Sequence, residues 1–396
     1  MTSVILGSTN GFTAGATTYL GLASYNAVSS TENDRKQLCS SSGTLQNTRV
    51  KLTTAPGAGK SAVFTLRKNG VDTAITCTIS DSATTASDTS NTVTVAAGDT
   101  LGWSCALTAA GVSSFCELAI EYVGDTANES QLMGGSEQAF SNADGTLSIS
   151  GNCTQGDPDD TFSDQVIATA GTIKNLYVKL TAAPGVGKTR TYTVFINGSS
   201  TAITCTISDA ATTANDTTHS VSVSAGDRIA VRQPTTGSPN TTNIHLGLTF
   251  VATTDGQFPI LAGAGNSLPA TGATRFSSLA MNDTPNTPYS ATDVVFNTAP
   301  VIYLLNMYAN VAVAPSAGKN WAFTVNKNTS ATGLTCTIAD AATTANVTST
   351  VTGALFDLYS MQVTPTGTPT APSRVRWGVT ATMINPITFT PQVYYS

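Results

Sequence analysis

The stretch "TAITCTISDSATTASDTSNTVTVAAGD" at 73–99 returns as "TAITCTISDAATTANDTTHSVSVSAGD" at 201–227 and, more loosely, as "TGLTCTIADAATTANVTSTVTGALFD" at 332–357. Self-similarity at a fixed period has to be settled before any fold is assigned. The cysteines measure the period: Cys77 and Cys205 are 128 residues apart, Cys205 and Cys336 131. A solenoid turn is about 20–50 residues, so each copy is a domain-sized unit able to bury its own core. Gly/Ala/Ser/Asn-rich text near Gly124 and Thr253 places the joins. The division is 1–124, 125–253 and 254–384, with an extended C-terminal arm at 385–396.

Inside a unit the text alternates apolar and polar residues in short runs, with a turn signal every 8–12 residues or so. In the second unit "NLYVKLTAAPG", "RTYTVFING", "TAITCTISD", "HSVSVSAGDRIAVRQP" and "NIHLGLTFVA" each read as strands with their turns. A Thr/Ala/Asn loop is expected after "TAITCTISD". No segment carries a helical face, and β-branched Thr and Val disfavour one. The expected class is all-β, built of three tandem β-sandwiches.

"TTAPGAGKSAVFTLRKNG" at 53–70 contains a Gly-Lys-Ser, the core of a phosphate loop. The full pattern needs a glycine five residues before Gly59, where Thr54 stands, and a helix after the Ser. The run after Ser61 instead alternates like a strand and ends at Asn69-Gly70. The third copy, "AVAPSAGKNWAFTVNKNTS", has no hydroxyl after Lys319. The phrase reads as a Pro-Gly turn feeding a strand, not as a grip on phosphate.

Charged residues make up 11% of the chain and the net charge is −6. No basic stripe exists to displace counterions, which argues against nucleic acid. No run of 18 apolar residues is present, which argues against a membrane-spanning helix. The apolar run of "MTSVILGSTNGFTAG" stops after Leu6 with no basic residue before it, so it does not read as a secretory signal.

The phrases "NGVDTAITCTISDSATTASDTSNTVTVAAGDTL", "NGSSTAITCTISDAATTANDTTHSVSVSAGDRI" and "PTGTPT" at 365–370 resemble tailed-bacteriophage structural proteins built from jelly-roll domains, notably head-decoration (cement) proteins. The V-x-V-x-A-G-D-x-[IL] step also resembles tumour-necrosis-factor/C1q-like jelly rolls, which form trimers. The resemblance weakens in the third unit, where Asn-Gly becomes Asn328-Thr329 and "SAGDRI" becomes "ALFDLY". It implies three jelly-roll domains packed as an intramolecular pseudo-trimer. It also implies a virion location on the capsid surface after assembly in the host cytoplasm, with the major capsid protein and neighbouring virion proteins as partners. A phage tail or fibre receptor-binding protein, a carbohydrate-binding adhesin and a filament subunit are the alternatives.

No catalytic, cofactor-binding or metal-binding residue is expected, and the chain does not read as an enzyme. His219 and His245 are the two histidines, and neither has a spaced nucleophile. Asp81, Asp209 and Asp340 recur at one position and are expected to cap their own loops. Asp88 and Asp216 recur seven residues later, where the third unit has Val347. The pairs Asp81/Asp88 and Asp209/Asp216 leave calcium open in the first two units. Asp99, Asp227 and Asp357 are expected to fix a tight turn between adjacent strands. Seven cysteines without a C-x-x-C pair make a structural zinc improbable. Cys77, Cys205 and Cys336 read as small core residues. Cys105 and Cys116 would face each other if "WSCAL" and "FCELAI" formed a hairpin; in a jelly roll, as the resemblance implies, these strands lie in opposite sheets about 10 Å apart, which forbids a bond, so free thiols are expected. Phe64, Tyr192 and Phe323 align across the units as core. Trp103, Trp321 and Trp377 are expected to be buried. The N-x-[ST] sequons at Asn197, Asn215 and Asn240 are what chance supplies in such text.

Overall fold

The computed structural model describes residues 2–9, 11–23, 28–136, 138–153, 163–264, 273–282, 296–297, 301–372 and 374–383. The arm expected at 385–396 lies outside the described residues. Among the described residues the chain is all-β, with one 3-10 turn at Glu32–Asp34 and no α-helix.

The first repeat contains β1 (Thr2–Thr9), β2 (Thr17–Leu20), β3 (Gln37–Leu38), β4 (Gly43–Leu52), β5 (Gly57–Lys68), β6 (Val71–Asp81), β7 (Thr85–Asp88), β8 (Val93–Val95), β9 (Thr100–Leu107) and β10 (Cys116–Gly124). The second contains β11 (Glu129–Ser136), β12 (Gly145–Leu147), β13 (Gly151–Cys153), β14 (Gln165–Val166), β15 (Gly171–Leu180), β16 (Gly185–Ile196), β17 (Ser199–Asp209), β18 (Thr213–Val223), β19 (Arg228–Gln233), β20 (Thr235–Thr236) and β21 (Ile244–Ala252). The third contains β22 (Gln257–Ala264), β23 (Arg275–Ser278), β24 (Met281–Asn282), β25 (Phe296–Asn297), β26 (Tyr303–Val311), β27 (Ser316–Lys327), β28 (Ser330–Asp340), β29 (Thr344–Thr352), β30 (Leu358–Thr366) and β31 (Val375–Thr382).

These strands form six sheets, two from each repeat. In the first repeat β1-β10-β4-β7 faces β2-β9-β5-β6. The second repeats that order as β11-β21-β15-β18 and β12-β19-β16-β17, the third as β22-β31-β26-β29 and β23-β30-β27-β28. The long pairings are antiparallel; the short β11–β13 and β22–β24 contacts are parallel.

Why these runs become strands is plain in β6, β17 and β28, which share one burial pattern. Ile75, Cys77 and Ile79 point inward, as do Ile203, Cys205 and Ile207, and Leu334, Cys336 and Ile338. The intervening threonines face outward and pair across strands, Thr191 with Thr206 at 2.9 Å and Thr193 with Thr204 at 2.8 Å. A one-residue slip would turn every one of these side chains over, so the alternation fixes the register. The inward faces build three hydrophobic clusters, around Phe64 and Trp103, around Tyr192, and around Trp321, Phe323 and Trp377. Each fully buried Ile, Leu or Phe contributes about 1.5–3 kcal/mol.

All seven cysteines are buried, and none forms a disulfide. Cys105 on β9 and Cys116 on β10 lie in opposite sheets, as the reading of the sequence required. Burial pushes the thiols of Cys77, Cys205 and Cys336 up to about 12. Two local expectations are corrected. The Thr/Ala/Asn loop is a short turn, because pairing resumes at Thr85, Thr213 and Thr344. The Ala-Gly-Asp turns join strands of opposite sheets, β8 to β9 in the first repeat.

Candidate functional site

The recurrent polar residues divide into turn fixtures, strand caps and seams between repeats. At one end of the long strands, Gly57 pairs with Asp81 and the register then jumps to Ser61 with Ser80, a β-bulge. The Asp81 carboxylate accepts the Gly59 amide at 2.7 Å, and Asp209 and Asp340 take Gly187 and Gly318 at the same distance. An amide that a phosphate would need is thus already bonded to a carboxylate, and Lys60 continues a strand. Gly59 and Gly187 hold φ of 67° and 70°, which glycine adopts without steric cost.

At the other end, Asn69-Gly70 and Asn197-Gly198 form hairpin turns with both φ positive, the arrangement a right-handed strand twist favours. Asn69 donates its side-chain amide to Asp99 at 2.7 Å, Asn197 to Asp227 at 2.7 Å and Asn328 to Asp357 at 2.6 Å. Each aspartate also accepts the amide three residues before it, at Ala96, Ser224 and Ala354. These acids therefore clip two neighbouring turns together.

Asp88 is buried and accepts the amides of Thr76, Ser90 and Asn91 and the Asn91 side chain, at 2.9–3.1 Å. Asp216 accepts the amides of Thr204, Thr218 and His219 and the Thr218 hydroxyl, with His219 Nδ1 at 2.9 Å. Burial opposes ionisation of Asp88, but the donors outweigh it and hold the carboxyl below its ordinary range. Both oxygens are ringed by N–H protons, which a calcium ion would have to displace. His219 lies on β18 and lends its ring to Asp216. In the third repeat Val347 stands at this position and packs on the core instead.

The residues that hold the repeats to one another were largely invisible in the sequence. Gln37, fully buried, donates Nε2 to Ala23 O at 2.8 Å and to Met133 O of the second repeat at 3.0 Å. Gln131 Oε1 accepts Ser40 N and Oγ, its Nε2 donates to Ser41, and Ser40 Oγ meets Thr249 at 2.9 Å. Asn243 reaches Asp34 at 3.0 Å. Between the second and third repeats, Thr169 donates to Gln257 at 2.8 Å and Thr380 to Ala168 O at 2.9 Å. Arg376 is ion-paired with Asp164 and donates to Asn310 at 2.7 Å. Burial raises the Asp164 carboxyl, offset in part by Arg376 and Arg228. Such a pair sets register more than it adds stability.

The seams run the same way around. The β3 segment lies on β21, the β14 segment on β31, and β25 on β10. Met133 joins the first repeat's cluster, Leu261 the second's, and Val4, Leu6 and Ala119 the third's. A cavity of about 30 Å³ is lined by Ile5 and Ala23, Leu132 and Ser150, and Ile260 and Ala280, a like pair from each repeat. At one equivalent strand position under the seams stand Glu117, His245 and Arg376, all nearly fully buried. Burial pushes Glu117 up to about 8 and His245 down to about 4. No single-sequence signal marks these three, because their equivalence emerges only from the strand pairing.

Among the described residues no group of three or more His, Cys, Asp or Glu side chains is placed to hold a metal, and no helix is long and apolar enough to cross a membrane. The chain matches no protein-family model and no curated protein.

Proposed function

We propose that this chain is a non-enzymatic virion structural protein: three tandem jelly rolls closed as an intramolecular pseudo-trimer, acting as a capsid decoration protein. It would bridge and stabilise neighbouring major capsid subunits at threefold or quasi-threefold sites. The repeated strand order, four strands against four with the first beside the last, supports the jelly-roll reading. The observation that carries the pseudo-trimer is the head-to-tail seating of first on second, second on third and third on first. Heterologous contacts that close on themselves make a ring. Covalent linkage replaces a bimolecular encounter with a high effective concentration. It also lets each copy diverge, as Val347 and the Glu117/His245/Arg376 set have done.

The capsid role rests on the resemblance together with this compact, weakly charged, hydroxyl-rich body. Its work would be mechanical: internal pressure would have to break several interfaces at once. Two measurements test the reading. Small-angle scattering should give a radius of gyration of about 21 Å, the value for a compact chain of this length, and a much larger one refutes the closed ring. In purified particles, a ratio near one chain per threefold position supports cementing. A handful of copies per particle refutes it in favour of a tail or fibre role.

A further inference from the structure

The three seams are not equal. The chain runs directly from the first repeat into the second and from the second into the third, whereas the third meets the first with no peptide link between them. A short linker limits how far two neighbours can part; the first and third repeats can part by the span of the whole middle repeat. The backbone contact differs as well. A Cβ built at Gly247 or Gly378 would fall 2.3 Å from Leu38 O or 2.1 Å from Val166 O. At the same strand position the third seam has Ala119, nearly fully buried. A seam that already holds a methyl group there cannot close to the same backbone distance.

Two residues earlier the contrast is chemical. Arg376 crosses the second seam to Asp164, and His245 bonds the Lys36 backbone across the first. In the third seam the position is Glu117, buried, with Ser8 of β1 on one side and Lys51 of β4 on the other. Lys51 is the charged group that acts on it. Arg49, opposite Ala119, turns to Thr48 O, and Glu121 accepts Gln46 and Asn47 of its own repeat. The strand of the third repeat that lies on β10, β25, contains no ionisable residue. Burial outweighs Lys51 and pushes the Glu117 carboxyl up to about 8. The neutral acid is tolerated under the seam, while the carboxylate calls for water.

We infer that the ring opens at the seam between the third and first repeats, as a clasp released when Glu117 gives its proton to water. The other two seams stay closed, held by their linkers, their glycine contacts and the Arg376–Asp164 pair. The inference rests on the closed-ring reading proposed above. Opening returns Glu117 to solvent and so towards its ordinary value of 4.5. Closure is therefore fully supported below pH 4.5, weakens as pH climbs, and levels off above 8. His245 titrates on the acid side, at about 4, so a window from pH 6.5 to 9 isolates Glu117. Across that window the opening constant should grow by a factor of roughly thirty.

Pulsed electron paramagnetic resonance on the full chain tests it, with spin labels on cysteines placed at exposed valines. Val112→Cys with Val313→Cys reports the distance between the first and third repeats; Val112→Cys with Val186→Cys reports a linked pair. The seven native thiols are buried and stay out of the reaction. At pH 6.5 each pair should give one defined distance; a broad distribution there overturns the closed ring itself. Raising the pH to 9 should add a long component between the first and third repeats, its ratio to the short one growing roughly thirtyfold. The linked pair should not change, and Glu117→Gln should abolish the growth. A fixed distance between the first and third repeats at pH 9 overturns the clasp while leaving the ring standing. Equal growth in the linked pair, or undiminished growth in Glu117→Gln, overturns it too. The pH series alone needs no change at Glu117, so a folding defect in Glu117→Gln leaves the test intact.

Discussion

Replacing Gly378 by alanine should weaken the seam between the second and third repeats. A Cβ built at Gly378 falls 2.1 Å from Val166 O, and one at Gly247 falls 2.3 Å from Leu38 O. In both cases the neighbour is backbone of the preceding repeat. The methyl sits roughly 1 Å inside ordinary van der Waals contact, and a paired strand cannot swing aside as a side chain would. Overpacking of this kind costs about 1–3 kcal/mol. With a urea m value of about 3 kcal/mol/M, the unfolding midpoint should fall by roughly 0.3–1 M. Hydrogen exchange should speed up at the amides of β14 and β31 before those of β16. The third seam already carries Ala119 at the same strand position, so Ala119→Gly should cost no more than about 1 kcal/mol from backbone entropy. The two glycine seams share no partners, and Gly247→Ala should add to Gly378→Ala within about 0.5 kcal/mol. An unchanged midpoint and exchange pattern in Gly378→Ala would refute the claim that close backbone approach holds the repeats together.

The buried polar groups and one strained turn give four further outcomes. His245 is held neutral, its pKa pushed down from 6.5 to about 4. Its contribution is present above pH 6.5 and lost as pH falls towards 4, a change on the order of 3 kcal/mol that His245→Asn should flatten in urea melts across that range. Glu117 has the opposite sign: its pKa is raised from 4.5 to about 8, so stability is full below pH 4.5 and declines as pH climbs to 8. Glu117→Gln should remove that decline. Asp88→Asn should cost about 1–3 kcal/mol by leaving amide donors unanswered, while chelator leaves the wild-type melting temperature unchanged; a shift in chelator would restore calcium to the Asp81/Asp88 and Asp209/Asp216 loops. Thr329, a β-branched residue at φ 69°, should gain about 1 kcal/mol or more on replacement by glycine, measured as a higher denaturation midpoint.

The all-β class, the threefold repetition and most of each core were legible in the linear text. Period-2 alternation is a local property, written residue by residue in "TAITCTISD" and its copies, and burying one face of it leaves a single register. The reading of the Gly-Lys-Ser as a turn was equally local, because the phrase blurs at Lys319 while the strand around it persists. How one repeat meets the next had to wait for the folded chain. Gly247 and Gly378 look like ordinary strand glycines until a carbonyl from another repeat is seen against them. Glu117, His245 and Arg376 are scattered charges until the pairing register puts them at one position. Gln37 is a plain amide until burial makes every donor count. Contacts between repeats join residues far apart in the chain, such as Gln37 and Met133, 96 positions from each other. A linear chain carries no periodic mark of such contacts, because their energy depends on relative placement and not on local pattern.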